Sequence, residues 1–184
     1  MKIELNDYDR HYLSGGFKYD PKWGRGFLIR CTSLSNGSGT LLDVGCGDGY
    51  WSHTLSEWYT VRAEDIVLGG VVAGAAKENS EVDFYYGDSL AFSTTHDVVF
   101  ARAITDLVRV PDDIFIACLE GLIARALRRF VFVTYTRQPY GSLCGSDDDA
   151  SYYHDPKVIE EIFSPYGRSA VVLKENYIIA TIDL

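Results

Sequence analysis

The chain has 184 residues and a formal net charge of −9, with fractions of apolar and charged side chains that are ordinary for a globular protein. This length predicts a single domain over residues 1–184, divided into an N-terminal segment over 1–39 and a core over 40–184. The acidic balance makes nucleic acid an unlikely partner and argues against anionic membranes, and the longest apolar run, residues 66–76, is too short to span a bilayer.

The cysteines and the first residues predict the compartment. The four cysteines stand far apart and form no C-x-x-C pair, so we expect reduced thiols. Charged and polar residues fill the first ten positions, and no signal peptide is recognisable there. We therefore expect a cytoplasmic protein, and its oligomeric state stays open.

Residues 1–39 combine aromatic side chains with glycines and lack a clear period, apart from a short helix that we predict over 27–34. Two interpretations stay open for this segment: a lid over a pocket, or a chain terminus anchored by a few aromatic residues. Both His11 and Tyr12 lie in this segment.

The pattern of residues 40–58 is the most informative one in the chain. An apolar strand over 40–44 runs into Gly45-Cys46-Gly47-Asp48-Gly49, and a helix follows over 50–58. Glycines at alternate positions allow a sharp turn and a close approach to a ligand, and the first N–H groups of the helix point at that ligand. The sequence therefore predicts a nucleotide-like cofactor site at a strand-to-helix turn.

Two related phosphate-binding motifs do not fit this turn. The dinucleotide motif G-x-G-x-x-G needs a third glycine where this chain has Tyr50. A P-loop needs a lysine after the glycines, and none follows. A nicotinamide-dependent oxidoreductase is therefore the weakest of the enzyme hypotheses.

Strands and helices alternate along the rest of the core. Short apolar runs predict the strands, and runs with helical period predict the helices. The predicted strands cover 60–63, 82–85, 97–101 and 130–134, the predicted helices cover 67–77, 111–127 and 156–163, and a closing hairpin covers 169–173 and 177–182. This order predicts an α/β fold with a doubly wound, mostly parallel sheet of seven strands, helices on both faces and a C-terminal antiparallel hairpin.

Acidic residues end the second and third predicted strands. Asp65 lies 22 residues beyond Asp43, where a carboxylate can accept hydrogen bonds from both hydroxyls of a ribose. Glu64 is the close alternative, because a strand end predicted from sequence is uncertain by a residue or two. Asp88 follows the third strand, where Gly-Asp-Ser also suits a plain turn.

The run D-V-G-C-G-D-G over residues 43–49 resembles the first motif of class I S-adenosylmethionine (SAM)-dependent methyltransferases, and the order of elements extends this resemblance over 40–184. The resemblance implies SAM as the cofactor, Asp65 as the second motif and Asp88 as the acceptor for the adenine amino group. It also implies backbone contacts of Ala101 and Arg102 with the methionine part, and an indirect role for Asp43 in holding the loop. The predicted cofactor-binding residues are Asp43, Gly45, Cys46, Gly47, Gly49, Trp51, Asp65, Ile66, Asp88, Ser89, Ala101, Arg102 and Tyr12.

Methyl transfer needs mainly alignment of donor and acceptor, and a general base when the acceptor is an alcohol. The candidate catalytic residues are His154, His11 and Asp106, with Asp155 as a further candidate, and each histidine also suits an ordinary surface or packing role. We expect no metal, because the aspartates that follow strands 4 and 5 in catechol-type relatives are missing here.

The resulting hypothesis is a methyltransferase that modifies a hydroxyl or amine of a small molecule, such as a sugar or a natural-product intermediate. Methylation of a peptide or RNA is one alternative, supported only by the arginine cluster Arg125, Arg128, Arg129 and Arg137. Arginines at the C-terminal end of a helix explain that cluster equally well. A non-catalytic SAM-binding module is the other alternative, since fold by itself does not imply catalysis.

Overall fold

The computed structural model describes residues 7–16, 20–77, 81–102, 112–135, 156–166, 168–174 and 177–184. The chain divides into two compact units, Met1–Phe92 and Ser93–Leu184, which are described in turn. The single domain expected over 1–184 stays a prediction.

The described residues of the first unit include three parallel strands and four α-helices. The strands are β1 (Thr40–Val44), β2 (Thr60–Asp65) and β3 (Val82–Tyr86), and the helices are α1 (Asp7–Leu13), α2 (Pro21–Phe27), α3 (Tyr50–Leu55) and α4 (Leu68–Ala75). Strand β2 pairs in parallel with β1 on one side and with β3 on the other. The observed β1 has the predicted bounds, and both other strands extend a little beyond theirs.

The second unit contains the remaining strands. Its elements are β4 (His96–Arg102), α5 (Asp112–Ile123), β5 (Ala126–Tyr135), α6 (Pro156–Phe163), β6 (Ser169–Lys174) and β7 (Tyr177–Asp183). Strands β4 and β5 are parallel, whereas β7 is antiparallel to both β5 and β6. The predicted C-terminal hairpin is therefore confirmed.

In the part of the chain that the structure describes, seven strands form one mixed sheet in the order β3-β2-β1-β4-β5-β7-β6. This order confirms the α/β class, the number of strands and the predominance of parallel pairs up to the closing hairpin. The doubly wound arrangement, with helices on both faces, stays a prediction.

Two boundaries differ from the sequence prediction for a tertiary reason. Helix α5 ends at Ile123 instead of 127, and β5 begins at Ala126 instead of 130, because Ala126 pairs with His96 of β4. Arg125 lies between the two elements, 4% exposed, and its guanidinium donates to the carbonyl and hydroxyl oxygens of Thr94. Strand pairing therefore ends the helix earlier than the apolar pattern indicates.

The N-terminal helix also differs from its prediction. Instead of one helix over 27–34, α2 begins at Pro21 and is followed by a π-helical turn over Leu28–Thr32. The carboxylate of Asp20 accepts from the Lys22 amide at 2.9 Å, and proline at the first helical position needs no partner for an N–H group.

Each unit has its own apolar core on its strands. Leu41, Leu42, Val61 and Ala63 are fully or almost fully buried in the first unit. In the second, Phe132 packs against Phe115 of α5 and Phe130 against Phe163 of α6, each with ring centroids 5.9 Å apart. These strands hold the loops at their carboxyl ends, where ligands bind in open α/β sheets.

One partly buried histidine on α3 predicts a pH dependence of stability. Burial lowers the pKa of His53 from 6.5, and the Lys77 ammonium lowers it further, against weaker opposing effects of the Gly74 backbone and Asp48. The unfolded chain therefore takes up this proton at a higher pH than the folded chain, and the free energy of unfolding falls as the pH drops through the unfolded value. We expect His53→Gln to lose less stability than the wild type between about pH 7 and about pH 5, measured by urea unfolding. Equal losses in the two proteins would contradict this expectation.

Candidate cofactor site

The glycine loop between β1 and α3 has the backbone conformation that its sequence predicts. Gly45, Gly47 and Gly49 have φ angles of 70°, 54° and 72°. All three lie in the left-handed region, which is costly for residues with a Cβ. Gly45 is exposed, whereas Gly47 and Gly49 are buried. The backbone of the loop is therefore accessible at Gly45, whereas Gly47 and Gly49 are packed against the rest of the protein.

Helix α4 packs directly on this loop because its contacting residues are glycines. A Cβ built on Gly70 would lie 2.8 Å from the carbonyl carbon and oxygen of Gly47. A Cβ on Gly74 would lie 2.5 Å from the Phe84 ring and 3.1 Å from the carbonyl carbon of Asp48. The glycines at 70 and 74 thus permit a close helix-to-loop contact.

Asp65 holds the loop from the end of β2. One carboxylate oxygen accepts from the Gly47 amide and the other from the Val67 amide, each at 2.7 Å. The residue is 8% exposed, so these charge-assisted hydrogen bonds form in a poorly solvated place. Asp65 therefore links the glycine loop to the turn after β2.

Glu64, the alternative to Asp65, points elsewhere. Its carboxylate is fully buried and accepts from the Arg62 guanidinium at 2.6 Å. Its backbone carbonyl meets the loop, where it accepts from the amides of Gly45 and Cys46. Successive side chains of a strand point to opposite faces, which explains why the carboxylates of Glu64 and Asp65 diverge.

Asp43 and Trp51 connect the loop's flanks to the core. The Asp43 carboxylate accepts from the Ser52 hydroxyl at 2.5 Å, and both residues are buried, so this bond ties β1 to α3. Trp51 is 6% exposed, and its ring packs against Trp23 and Phe27. Contact of Trp51 with a cofactor stays a prediction, and packing between α2 and α3 is its observed role.

The pKa of the Cys46 thiol depends on its burial and on the charges around the loop. Burial raises the pKa of its thiol well above the ordinary value, and the carboxylates of Asp43, Asp65 and Asp48 raise it further. The thiol is therefore protonated at neutral pH, and it lies in a negative potential.

The carboxyl ends of β2 and β3 meet beside the glycine loop. The Gly87 amide donates to the Asp65 carbonyl at 2.9 Å, and Asp88 caps a short 3-10 turn by accepting from the Leu90 amide at 2.9 Å. Ser89 is buried in this turn. Ile66 and Leu90 are 51% and 45% exposed, so two apolar side chains stand open on the segments that follow β2 and β3.

In the second unit, Ala101 and Arg102 end β4. Ala101 is fully buried, and Arg102 is 6% exposed with its guanidinium carbon 5.8 Å from the centre of the Tyr177 ring. Arg102 is the last residue of β4 and pairs in parallel with Val133, two residues before the end of β5.

The N-terminal helix brings one predicted residue to the loop. The ring and hydroxyl of Tyr12 lie so close to Gly47 that a Cβ there would overlap them. His11 lies beside Tyr12, with ring centroids 5.8 Å apart. The candidate bases Asp106, His154 and Asp155 lie outside the described residues.

Two further observations concern the part of the chain that the structure describes. No group of three or more histidine, cysteine, aspartate or glutamate side chains there could hold a metal ion. Its helices are all too short or too polar to cross a membrane.

No protein-family model and no curated protein matches the sequence. Solved structures do resemble the chain. Magnesium protoporphyrin IX methyltransferase (ChlM) from Synechocystis PCC 6803 with bound S-adenosylhomocysteine (SAH) is 16% identical, with a TM-score of 0.70 over 95% of this chain and 92% of that chain. The DhpI-SAM-HEP complex is 20% identical, with a TM-score of 0.67 and coverages of 87% and 84%.

A third similar structure is the N-methyltransferase NodS from Bradyrhizobium japonicum WM9 in complex with SAH. It is 16% identical, with a TM-score of 0.65 over 88% of this chain and 86% of that chain. At these identities the likeness concerns the fold. The chain has the seven-stranded, Rossmann-like fold of the class I SAM-dependent methyltransferases.

Proposed function

We propose that this protein is a SAM-dependent methyltransferase that transfers a methyl group to a hydroxyl or amine of a small molecule, such as a sugar or a natural-product intermediate. The observation that carries the proposal is the glycine loop. Gly45 offers exposed, left-handed backbone, and Asp65 bonds the Gly47 amide at 2.7 Å in the same turn. Bare backbone beside a carboxylate fits a nucleoside cofactor with a free ribose.

The charge of this turn favours a cationic cofactor over a dinucleotide. The carboxylates of Asp43, Asp48 and Asp65 lie in or next to the glycine loop, and one ammonium group, that of Lys77, pairs with Asp48 at 3.4 Å, so negative charge is in excess there. A negative potential attracts a sulfonium and an ammonium group and repels a pyrophosphate. This argument agrees with the absence of a third glycine at Tyr50, and it disfavours a nicotinamide-dependent oxidoreductase.

The segments after β2 and β3 suit an adenine ring. Ile66 and Leu90 supply exposed apolar surface, and the Asp88 carboxylate is exposed beside them. Burying an apolar side chain against a ring is favourable, and a carboxylate oxygen accepts from an amino group. Gly45, Gly47, Asp65, Ile66 and Asp88 are thus the residues that would hold SAM in the first unit, while backbone contacts of Ala101 and Arg102 stay part of the proposal.

The chain's own contribution to the reaction would be chiefly positioning. SAM supplies an activated methyl group, so the protein has to bind it, align an acceptor and exclude water. A neutral amine needs no strong base, whereas an alcohol needs one. His11, Asp106 and His154 are the proposed bases for that case.

Names of similar structures support a small acceptor. They include a magnesium protoporphyrin IX methyltransferase, whose named acceptor is a small molecule, and an N-methyltransferase, and the matches cover 92% and 86% of those two chains. The arginine cluster is weak support for an RNA or peptide substrate, because two of its members have partners within the protein. Arg125 donates to Thr94, and Arg129 pairs with Asp183 at 2.5 Å. A cytoplasmic location is part of this proposal.

Calorimetric titration with SAM, SAH and NAD tests the cofactor. We expect saturable binding of SAM and SAH and none of NAD. Transfer of a labelled methyl group to a panel of small alcohols and amines, with a total-RNA arm and a peptide arm, then tests the acceptor class. Failure to bind SAM and SAH at millimolar concentration would refute the proposal, and binding without transfer to any arm would favour the non-catalytic module.

A further inference from the structure

A buried carboxylate on helix α1 forms a hydrogen bond with helix α4. Asp9, in the middle of α1, is 5% exposed, and its Oδ1 accepts from the Gly69 amide at 2.7 Å. The two residues are 60 positions apart in the sequence. Gly69 is the second residue of α4, so Asp9, a residue of α1, caps the N-terminus of a different helix. A negative charge at a helix N-terminus is stabilising.

The contact at Gly69 leaves no room for a side chain. A Cβ built on Gly69 would lie 2.6 Å from the Asp9 carbonyl oxygen and 2.7 Å from its Cα, both of which are backbone atoms. The next residue, Gly70, makes a comparably close approach to the backbone of Gly47. Adjacent glycines of α4 therefore contact the N-terminal helix and the glycine loop.

Two more contacts bring the same N-terminal segment to the loop. Tyr12 lies three residues after Asp9, on a neighbouring part of the helix surface, and its ring and hydroxyl contact Gly47. A Cβ built on Gly16 would lie 3.0 Å from Asp48 Oδ2. Residues 7–16, which we call the N-terminal cover, thus touch α4 through Asp9 and the glycine loop through Tyr12 and Gly16.

We infer that Asp9 is a positioning residue of the cofactor site: by holding the N-terminal cover on α4, it keeps Tyr12 over the glycine loop. The cover then becomes a wall of that site, and cofactor affinity depends on a carboxylate that does not touch the cofactor. The part of this inference that concerns the cofactor rests on the proposed function. The attachment of the cover to α4 does not.

Asp9→Ala removes the hydrogen bond to the Gly69 amide, and Asp7→Ala is the matched control. Asp7 lies in the same helix, but its carboxylate is exposed, and its ion-pair partner among the described residues is Arg10, three positions away, at 2.7 Å. We expect Asp9→Ala to speed amide exchange in residues 7–16 roughly tenfold or more in the ligand-free protein, the scale of one buried charge-assisted hydrogen bond. We expect a similar factor in the Kd for SAH by calorimetry. Asp7→Ala leaves both nearly unchanged, and Asp9→Asn restores part of the affinity because its amide oxygen still accepts.

Gly69→Ala separates positioning from simple stability. Alanine favours a helix over glycine, so a purely structural role predicts equal or higher stability of α4. The new Cβ displaces the Asp9 backbone, so we expect faster exchange in the cover and weaker SAH binding without loss of the remaining fold. Val72→Ala, at a half-exposed position of α4, controls for substitution in that helix.

The outcomes distinguish the two proposals. Wild-type protein that binds neither SAM nor SAH refutes the proposed function, while the exchange measurements still test the attachment of the cover. Equal exchange in Asp9→Ala and Asp7→Ala refutes the attachment. Faster exchange in Asp9→Ala with an unchanged Kd for SAH refutes the role of the cover in cofactor binding.

Discussion

Replacing Asp65 by alanine is expected to weaken SAM binding by about 1.5–3 kcal/mol, which is about a tenfold to a hundredfold rise in Kd. The variant loses a carboxylate that accepts from the amides of Gly47 and Val67 in a buried position, and both donors lose their partner. It also loses the proposed acceptor for the ribose hydroxyls. Isothermal titration with SAM measures the change directly.

Asp65→Asn makes this test sharper. Its amide group has one acceptor oxygen, so its NH2 group must face either the Gly47 or the Val67 amide, donor against donor. We therefore expect little rescue of affinity, although the side chain has the same size. Asp83→Ala, at an exposed position of the neighbouring strand β3, should leave SAM binding unchanged. An Asp65→Ala variant that binds SAM like the wild type would remove Asp65 from the site.

Gly47→Ala is expected to lower the free energy of unfolding by about 1–2 kcal/mol from backbone strain alone, because φ at this residue is 54°. The new Cβ also overlaps the Tyr12 hydroxyl and ring, so the loop and the N-terminal cover cannot keep their contact. We expect a rise in the Kd for SAH of roughly tenfold or more, equivalent to about 1.4 kcal/mol. Urea unfolding and SAH titration measure the two effects.

Gly39→Ala is the matched control for this substitution. Gly39 has a φ of 100° and is exposed just before β1, outside both the glycine loop and the N-terminal cover. The control therefore places backbone strain away from the proposed site, and its SAH affinity should stay close to that of the wild type. If both variants lose affinity equally, strain and not the contact with Tyr12 explains the loss at Gly47.

Local sequence patterns predicted much of the framework. The bounds of β1 and α6 agree with the structure, because a short apolar run and a strongly amphipathic helix carry their signals within a few residues. The glycine loop was predictable for the same reason, because alternate glycines after a buried strand indicate a turn whose backbone has positive φ angles. The sequence alone thus determined the α/β class, the closing hairpin and the position of the loop.

Tertiary structure decided which side chains meet at that loop. The choice between Asp65 and Glu64 depended on the face to which each carboxylate points, and one residue of strand register reverses that face. Asp9 has no sequence signal at all, because its partner is a backbone amide 60 residues away. Long-range contacts of this kind depend on how α1, α4 and the loop pack, and no local pattern records that packing.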